Sequence, residues 1–151
     1  MNILFVCTGN TCRSCMAEAI FNNLCDNEYL TSSSCGVSVV RNSKASLNAV
    51  KTLIKKINVD ISNRYAIQLT KEHLSKADYV FVMTYGIKNL LINNFPEVSD
   101  KIFTVNEFAE VTGEVFDPYG LDIEGYNNTF LQLEYSITKI LKKLKEDRRS
   151  I

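Results

Sequence analysis

Cys7 and Arg13 bracket five residues in the stretch Cys7-Thr8-Gly9-Asn10-Thr11-Cys12-Arg13-Ser14, and these residue types suit chemistry on a phosphate group. A cysteine sulfur is a strong nucleophile in its thiolate form. The arginine guanidinium is a planar fork of donors that fits two phosphate oxygens at once. Gly9-Asn10 permits a tight turn between them. The stretch follows a short apolar run, Ile3-Leu4-Phe5-Val6, and precedes a helical pattern, Met16-Ala17-Glu18-Ala19-Ile20-Phe21. It therefore reads as a strand-to-helix corner. Backbone N–H groups in such a corner converge on one concavity, and the helix start adds its positive dipole end. Cys7 belongs at the floor of that concavity, where the same dipoles favour the ionised sulfur.

The elements that must hold this corner follow in order along the chain. Residues 2–7 form a continuous apolar run, the pattern of a strand buried on both faces. Ser14 reads as the cap of the first helix, which runs to about Leu24, with Glu18 near its first turn. A second strand falls within 29–40, and Ser43 is the expected cap of a helix reaching Ile57. Thr70 opens a short helix, 77–83 is the clearest interior strand, and the next helix ends before Pro96. A shorter strand spans 101–105. A long connection, 106–125, carries the single Asp-Pro pair, Asp117-Pro118. A last amphipathic helix covers roughly 126–145, followed by a charged tail, 145–149, expected to fray. Strands alternating with helices predict an α/β fold: one domain over residues 1–151, a four-stranded parallel sheet with helices on both faces. Ligands of such sheets bind beyond the carboxyl ends of the strands, where the cysteine corner lies.

Composition bounds the partners. The 151 residues carry 17 basic and 17 acidic side chains, for zero formal charge. That balance gives no reason to expect nucleic acid or an anionic membrane as a partner. No apolar run has membrane-spanning length and no signal-peptide pattern opens the chain, which predicts a cytoplasmic protein. Five cysteines, three of them at the first corner, make a poor disulfide framework and a plausible reactive-thiol cluster. A Cys7–Cys12 disulfide, protective against further oxidation, is one use for the pair, and loop filling is the other reading of Cys12. One histidine, His73, and scattered carboxylates give no metal-ligand cluster, and no cofactor is expected.

The corner, together with Asp117-Pro118-Tyr119 late in the chain, resembles the low-molecular-weight protein tyrosine phosphatase family over essentially the whole length. The resemblance implies a metal-free phosphatase acting on phosphorylated proteins, and a monomer is expected. It implies that Cys7 is the nucleophile that becomes a cysteinyl-phosphate. Arg13 then clamps the equatorial oxygens, and Asp117 protonates the leaving group before serving as base on water. Thr8, Gly9, Asn10, Thr11, Cys12 and Ser14 become the phosphate-binding loop, with Asn10 and Ser14 as its supports and Ser14 near the Cys7 sulfur. Tyr119 becomes an aromatic wall of the substrate site.

Within that family Thr11 resembles the residue of the protein-arginine phosphatase branch. Phosphotyrosine enzymes usually carry a bulky aliphatic there. A rim hydroxyl suits a polar guanidinium better than a phenyl ring, and no aromatic side chain lies in 37–44. Phosphoarginine is the first expectation and phosphotyrosine the second. Thiol-dependent arsenate reductases share the loop, but they need later cysteines and none follows Cys35. A non-catalytic phosphate-binding module is the remaining reading, and it requires Asp117 to lie away from Cys7. Two departures from the family are visible. Cys15 stands where proline is common, and Arg64 stands where many relatives carry a loop-supporting histidine. His73 is given no catalytic task.

Overall fold

The computed structural model describes residues 1–149. Four parallel strands form one sheet: β1 (Asn2–Cys7), β2 (Thr31–Gly36), β3 (Tyr79–Val82) and β4 (Ile102–Thr104), in the order β2-β1-β3-β4. The register pairs Cys7 with Gly36 and Val6 with both Cys35 and Val82. β1 is buried on both faces from Ile3 to Cys7, which is why its sequence is uniformly apolar rather than alternating. Ile3, Phe5 and Cys7 face one core. Helices α1 (Arg13–Leu24), α2 (Leu47–Ile57), α5 (Val105–Ala109) and α6 (Ile123–Arg149) cover that side. Leu4 and Val6 face the other core, beneath α3 (Lys71–Lys76) and α4 (Tyr85–Asn94). The expected single-domain α/β architecture with helices on both faces is what the chain adopts. Strand order reverses about β1, so the crevice at its carboxyl end is the position such sheets give to ligands.

Several local expectations are corrected. Ser14 does not cap α1: the cap position is Cys12, which offers no side-chain hydrogen bond, and Ser14 lies inside the helix. Its hydroxyl is engaged with Cys7 and Asn10 instead. Glu18 lies beyond the first turn of α1. Ser46, not Ser43, caps α2, accepting from the Ala49 N–H. The Ser43 hydroxyl donates to the Val40 carbonyl at 2.7 Å. The connection after β4 holds an unforeseen helix, α5, opened by a reciprocal Thr104–Glu107 capping box. α6 starts at Ile123, before the expected Tyr126, and its backbone stays helical through the tail to Arg149. Lys145, expected to fray, pairs with Asp26 at 2.8 Å. Among the described residues no helix is long and apolar enough to cross a membrane.

Candidate active site

The corner between β1 and α1 is shaped from outside by its carbonyls. Cys7 O accepts from the Val37 N–H, Thr8 O from the Ser38 N–H and Thr11 O from the Ser46 N–H, at 2.9–3.0 Å. Among the described residues no peptide bond is cis. In a trans peptide the N–H points opposite to its carbonyl. The N–H groups of Thr8, Gly9 and Cys12 are thereby turned inward. Asn10 takes the left-handed conformation, φ 57°, that closes the turn. Its own N–H donates to the Cys7 sulfur at 3.2 Å. Gly36 allows the sheet to pass under the turn: a Cβ there would sit 2.7 Å from Thr8 O and 3.0 Å from Asn10 N.

A second layer of hydrogen bonds backs that sulfur. Arg64 Nη1 and the Ile67 N–H both donate to Asn10 Oδ1 at 2.9 Å. Asn10 Nδ2 is left to donate to Ser14 Oγ at 2.7 Å and Ser34 Oγ at 3.0 Å. Ser14 Oγ, already an acceptor, lies 2.8 Å from Cys7 Sγ. With Cys7 ionised only Ser14 can donate along that contact, and the sulfur is nearer than the other acceptor, the Cys35 carbonyl at 3.5 Å, so the Ser14 proton stabilises a thiolate. Ser34 Oγ, accepting from Asn10 and from Arg64 Nη2 (2.7 Å), passes its own proton to Glu18 Oε1 at 2.8 Å. Glu18 lies 3.4 Å from Arg64 Nη2. Asn10, Ser14, Ser34, Glu18 and Arg64 are thus linked in one hydrogen-bonded network, the kind of arrangement that rigidifies a site.

Arg13 is the first residue of α1 and only 6% exposed. Its Nη2 lies 3.4 Å from Asp117 Oδ2. The Tyr119 N–H donates to Asp117 Oδ1 at 3.1 Å. The intervening cavity, about 480 Å³, is lined by Cys7, Thr8, Gly9, Thr11, Cys12, Arg13, Val40, Ser43, Asp117 and Tyr119. Sequence-distant Asp117 and Tyr119 thus meet the corner across one opening. Asn10 and Ser14, grouped by sequence with the phosphate-binding residues, do not line the cavity: both are fully buried behind it. They reach the sulfur rather than the opening, as supports do.

Val40 and Ser43 line the opening but carried no signal in the sequence. Glu18 and Ser34 were missed as parts of the network for the same reason. Only Arg64 was marked, by the place it occupies relative to the family. His73 stays in α3, where its ring nitrogen Nδ1 accepts from the Thr70 N–H at 2.9 Å.

The other thiols differ from Cys7 in their surroundings. Burial pushes Cys15 strongly upward and Cys35 up to about 12, with a nearby Cys7 charge adding to both. Both are poor nucleophiles at neutral pH. Cys12 Sγ lies 3.2 Å from Tyr126 Oη and 3.5 Å from Ser46 Oγ. Burial and that contact with Cys12 push the Tyr126 hydroxyl up to about 12. Among the described residues the five cysteines are free, and no group of three or more His, Cys, Asp or Glu could hold a metal ion.

Comparison with known proteins agrees with this geometry. The chain is 40% identical over 152 residues to a protein-arginine-phosphatase of Bacillus subtilis, covering 99% of this chain and 100% of the relative. It is 37% identical over 140 residues to the low molecular weight protein-tyrosine-phosphatase PtpB of Staphylococcus aureus, covering 93% and 96%. A solved structure of a YwlE arginine phosphatase mutant with a phosphorylated active-site serine superposes with a TM-score of 0.91, at 38% identity and 99% coverage of both chains. The model of the low molecular weight phosphotyrosine protein phosphatase family matches residues 2–150, and the chain belongs to that family.

Proposed function

We propose that this protein hydrolyses phosphoarginine in protein substrates through a phosphocysteine on Cys7. The observation that carries the reading is the Cys7 sulfur, which receives the Asn10 N–H and faces the Ser14 hydroxyl beneath an opening shared by Arg13 and Asp117. In the first step the thiolate attacks phosphorus in line with the leaving group. The S–P bond forms, the P–N bond breaks, and the departing guanidine nitrogen takes the proton of Asp117. Arg13 and the inward N–H groups bind the equatorial oxygens as charge spreads over them, the largest contribution in such transfers. In the second step Asp117, now a carboxylate, takes a proton from water. The water oxygen bonds to phosphorus and the thiolate leaves, eased by the Ser14 proton. A phosphate dianion draws the Arg13 fork to itself, which frees Asp117 to face the leaving group.

The substrate preference rests on the walls. Thr11 places a hydroxyl at the rim, Val40 and Ser43 add no ring, and Tyr119 is the one aromatic, 77% exposed. The named arginine phosphatase among the relatives supports the same choice. The phosphotyrosine reading is favoured by Tyr119, which can stack on a phenyl ring. The reading takes residues 1–151 as one catalytic domain working as a monomer in the cytoplasm. In support, one chain supplies Cys7, Arg13 and Asp117, and free thiols suit a reducing compartment.

Phosphoarginine and phosphotyrosine forms of one peptide, assayed side by side, test the choice. The expected result is a higher kcat/KM for phosphoarginine in the native protein. Thr11→Ile should move the ratio toward phosphotyrosine by about tenfold, the scale of one lost hydrogen bond to a charged group. An unchanged ratio would remove Thr11 from the specificity account.

A further inference from the structure

The loop that carries Asp117 rests on buried Val115 and Pro118, and the residue before Asp117 is gripped from both sides. The Phe116 N–H donates to Gln132 Oε1 at 3.0 Å, and the Phe116 carbonyl accepts from Thr129 Oγ1 at 3.1 Å. Thr129 and Gln132 are three positions apart on α6 and so share one helix face. The Phe116 ring is 53% exposed and does not anchor the loop. Thr129, in contrast, is fully buried.

The Phe116 carbonyl belongs to the same planar peptide as the Asp117 nitrogen. Fixing that carbonyl fixes the plane from which the Asp117 Cα departs. On the other side Pro118 confines Asp117 to extended backbone. With both flanks set, the freedom left to the carboxyl lies in its side-chain torsions. Thr129 has only one hydroxyl proton, and the Gly125 carbonyl one turn back competes for it at 3.2 Å. The loop contact is thus a hydrogen bond the helix can take back.

We propose that Thr129 and Gln132 are positioning residues for Asp117, holding the proton donor at the leaving group. The inference rests on the reading above that Asp117 is that donor.

The experiment compares two aryl esters, 4-nitrophenyl phosphate and phenyl phosphate, as substrates. The nitrophenolate leaves without much help from an acid, and the phenolate needs the proton. Thr129→Val/Gln132→Leu should lower kcat/KM for phenyl phosphate by about tenfold, since small misplacements of a catalytic group are costly. The loss on 4-nitrophenyl phosphate should stay within about twofold, because that ester uses little of the acid's contribution. Competitive inhibition by inorganic phosphate should not change. Thr129→Ser, which keeps the hydroxyl, should restore phenyl phosphate hydrolysis in the Gln132 background. Gln132→Leu alone, at an exposed position, carries the test if the buried substitution impairs folding, with a smaller selective loss expected. Equal losses on the two esters, or none on either, overturn the proposal. Asp117→Asn serves as the reference. If it lacks the selective loss, the donor assignment itself fails and the proposal falls with it. If the native protein cleaves a phosphoarginine peptide but neither ester, the same variants are compared on that peptide, whose departing guanidine needs the proton, and an unchanged kcat/KM there overturns the proposal.

Discussion

The two loops that meet at the cavity are built in opposite ways. The corner 7–14 exposes Thr8 at its rim but is closed on itself behind: Asn10 and Ser14 have no exposed surface, and Arg13 has 6%. Every polar group behind it has a partner, through Arg64, Ser34 and Glu18. The loop around Asp117 is open. Phe116 and Tyr119 are 53% and 77% exposed, and the Asp117 side chain is 54% exposed. Buried Val115, Pro118 and two side chains of α6 hold it. The difference matches the two tasks. A group that must hold charge in one geometry benefits from a rigid, satisfied surround. A group that delivers and then accepts a proton, and that first has to leave Arg13, needs room to turn.

The largest expected effect lies in the corner. Cys7→Ser should reduce turnover to background, whereas Cys12→Ser should retain most of it. Comparable activity in both serine variants would contradict the assignment of the nucleophile. Next comes the acid loop. Asp117→Ala should lower kcat by ~10²–10⁴-fold on substrates with poor leaving groups, the usual contribution of a positioned acid or base. Phosphate affinity should be kept. A matching loss of phosphate affinity would mean that Asp117 serves the binding surface instead.

Arg64→Met separates the two designs. It removes one of the two donors that orient Asn10 and leaves Glu18 without its cation. Stability should fall by about 2 kcal/mol, discounted from a fully buried pair because both side chains reach solvent. Activity should fall on good and poor leaving groups alike, unlike the selective loss from the acid loop. A selective loss in Arg64→Met would erase the distinction between the loops. A comparable cost in stability is expected from Gly36→Ala, whose added methyl presses on Thr8 O and Asn10 N. Overpacking of this kind costs about 1–3 kcal/mol, a Tm drop of some degrees readable by calorimetry. An unchanged Tm would show that the corner yields more than its hydrogen bonding implies.

The same contrast governed what the sequence disclosed. The corner was legible because its residue types are dictated locally: sulfur, glycine, arginine and an apolar strand in one short run. The sheet was legible because β1 and β3 are covered on both faces and so read as apolar. Ser14 misled as a helix cap because its hydroxyl serves the Cys7 sulfur, a tertiary demand that overrides the local preference for capping. Helix α5 was hidden in a connection of mixed composition, and only the Thr104…Glu107 spacing pointed to it. Ser34, Val40 and Ser43 are ordinary residues brought to the site by β2 and the turns after it, and Glu18 is brought by α1. Thr129 and Gln132 looked like helix surface, since nothing local indicates that a loop returns to lie on them.

Mass spectrometry of acid-quenched enzyme during turnover of a phosphoarginine peptide tests the central claim most directly. The account predicts one phosphoryl group on the peptide containing Cys7, formed at a rate no slower than turnover. Phosphate found on another residue, or steady turnover with an unmodified Cys7 throughout, would contradict it.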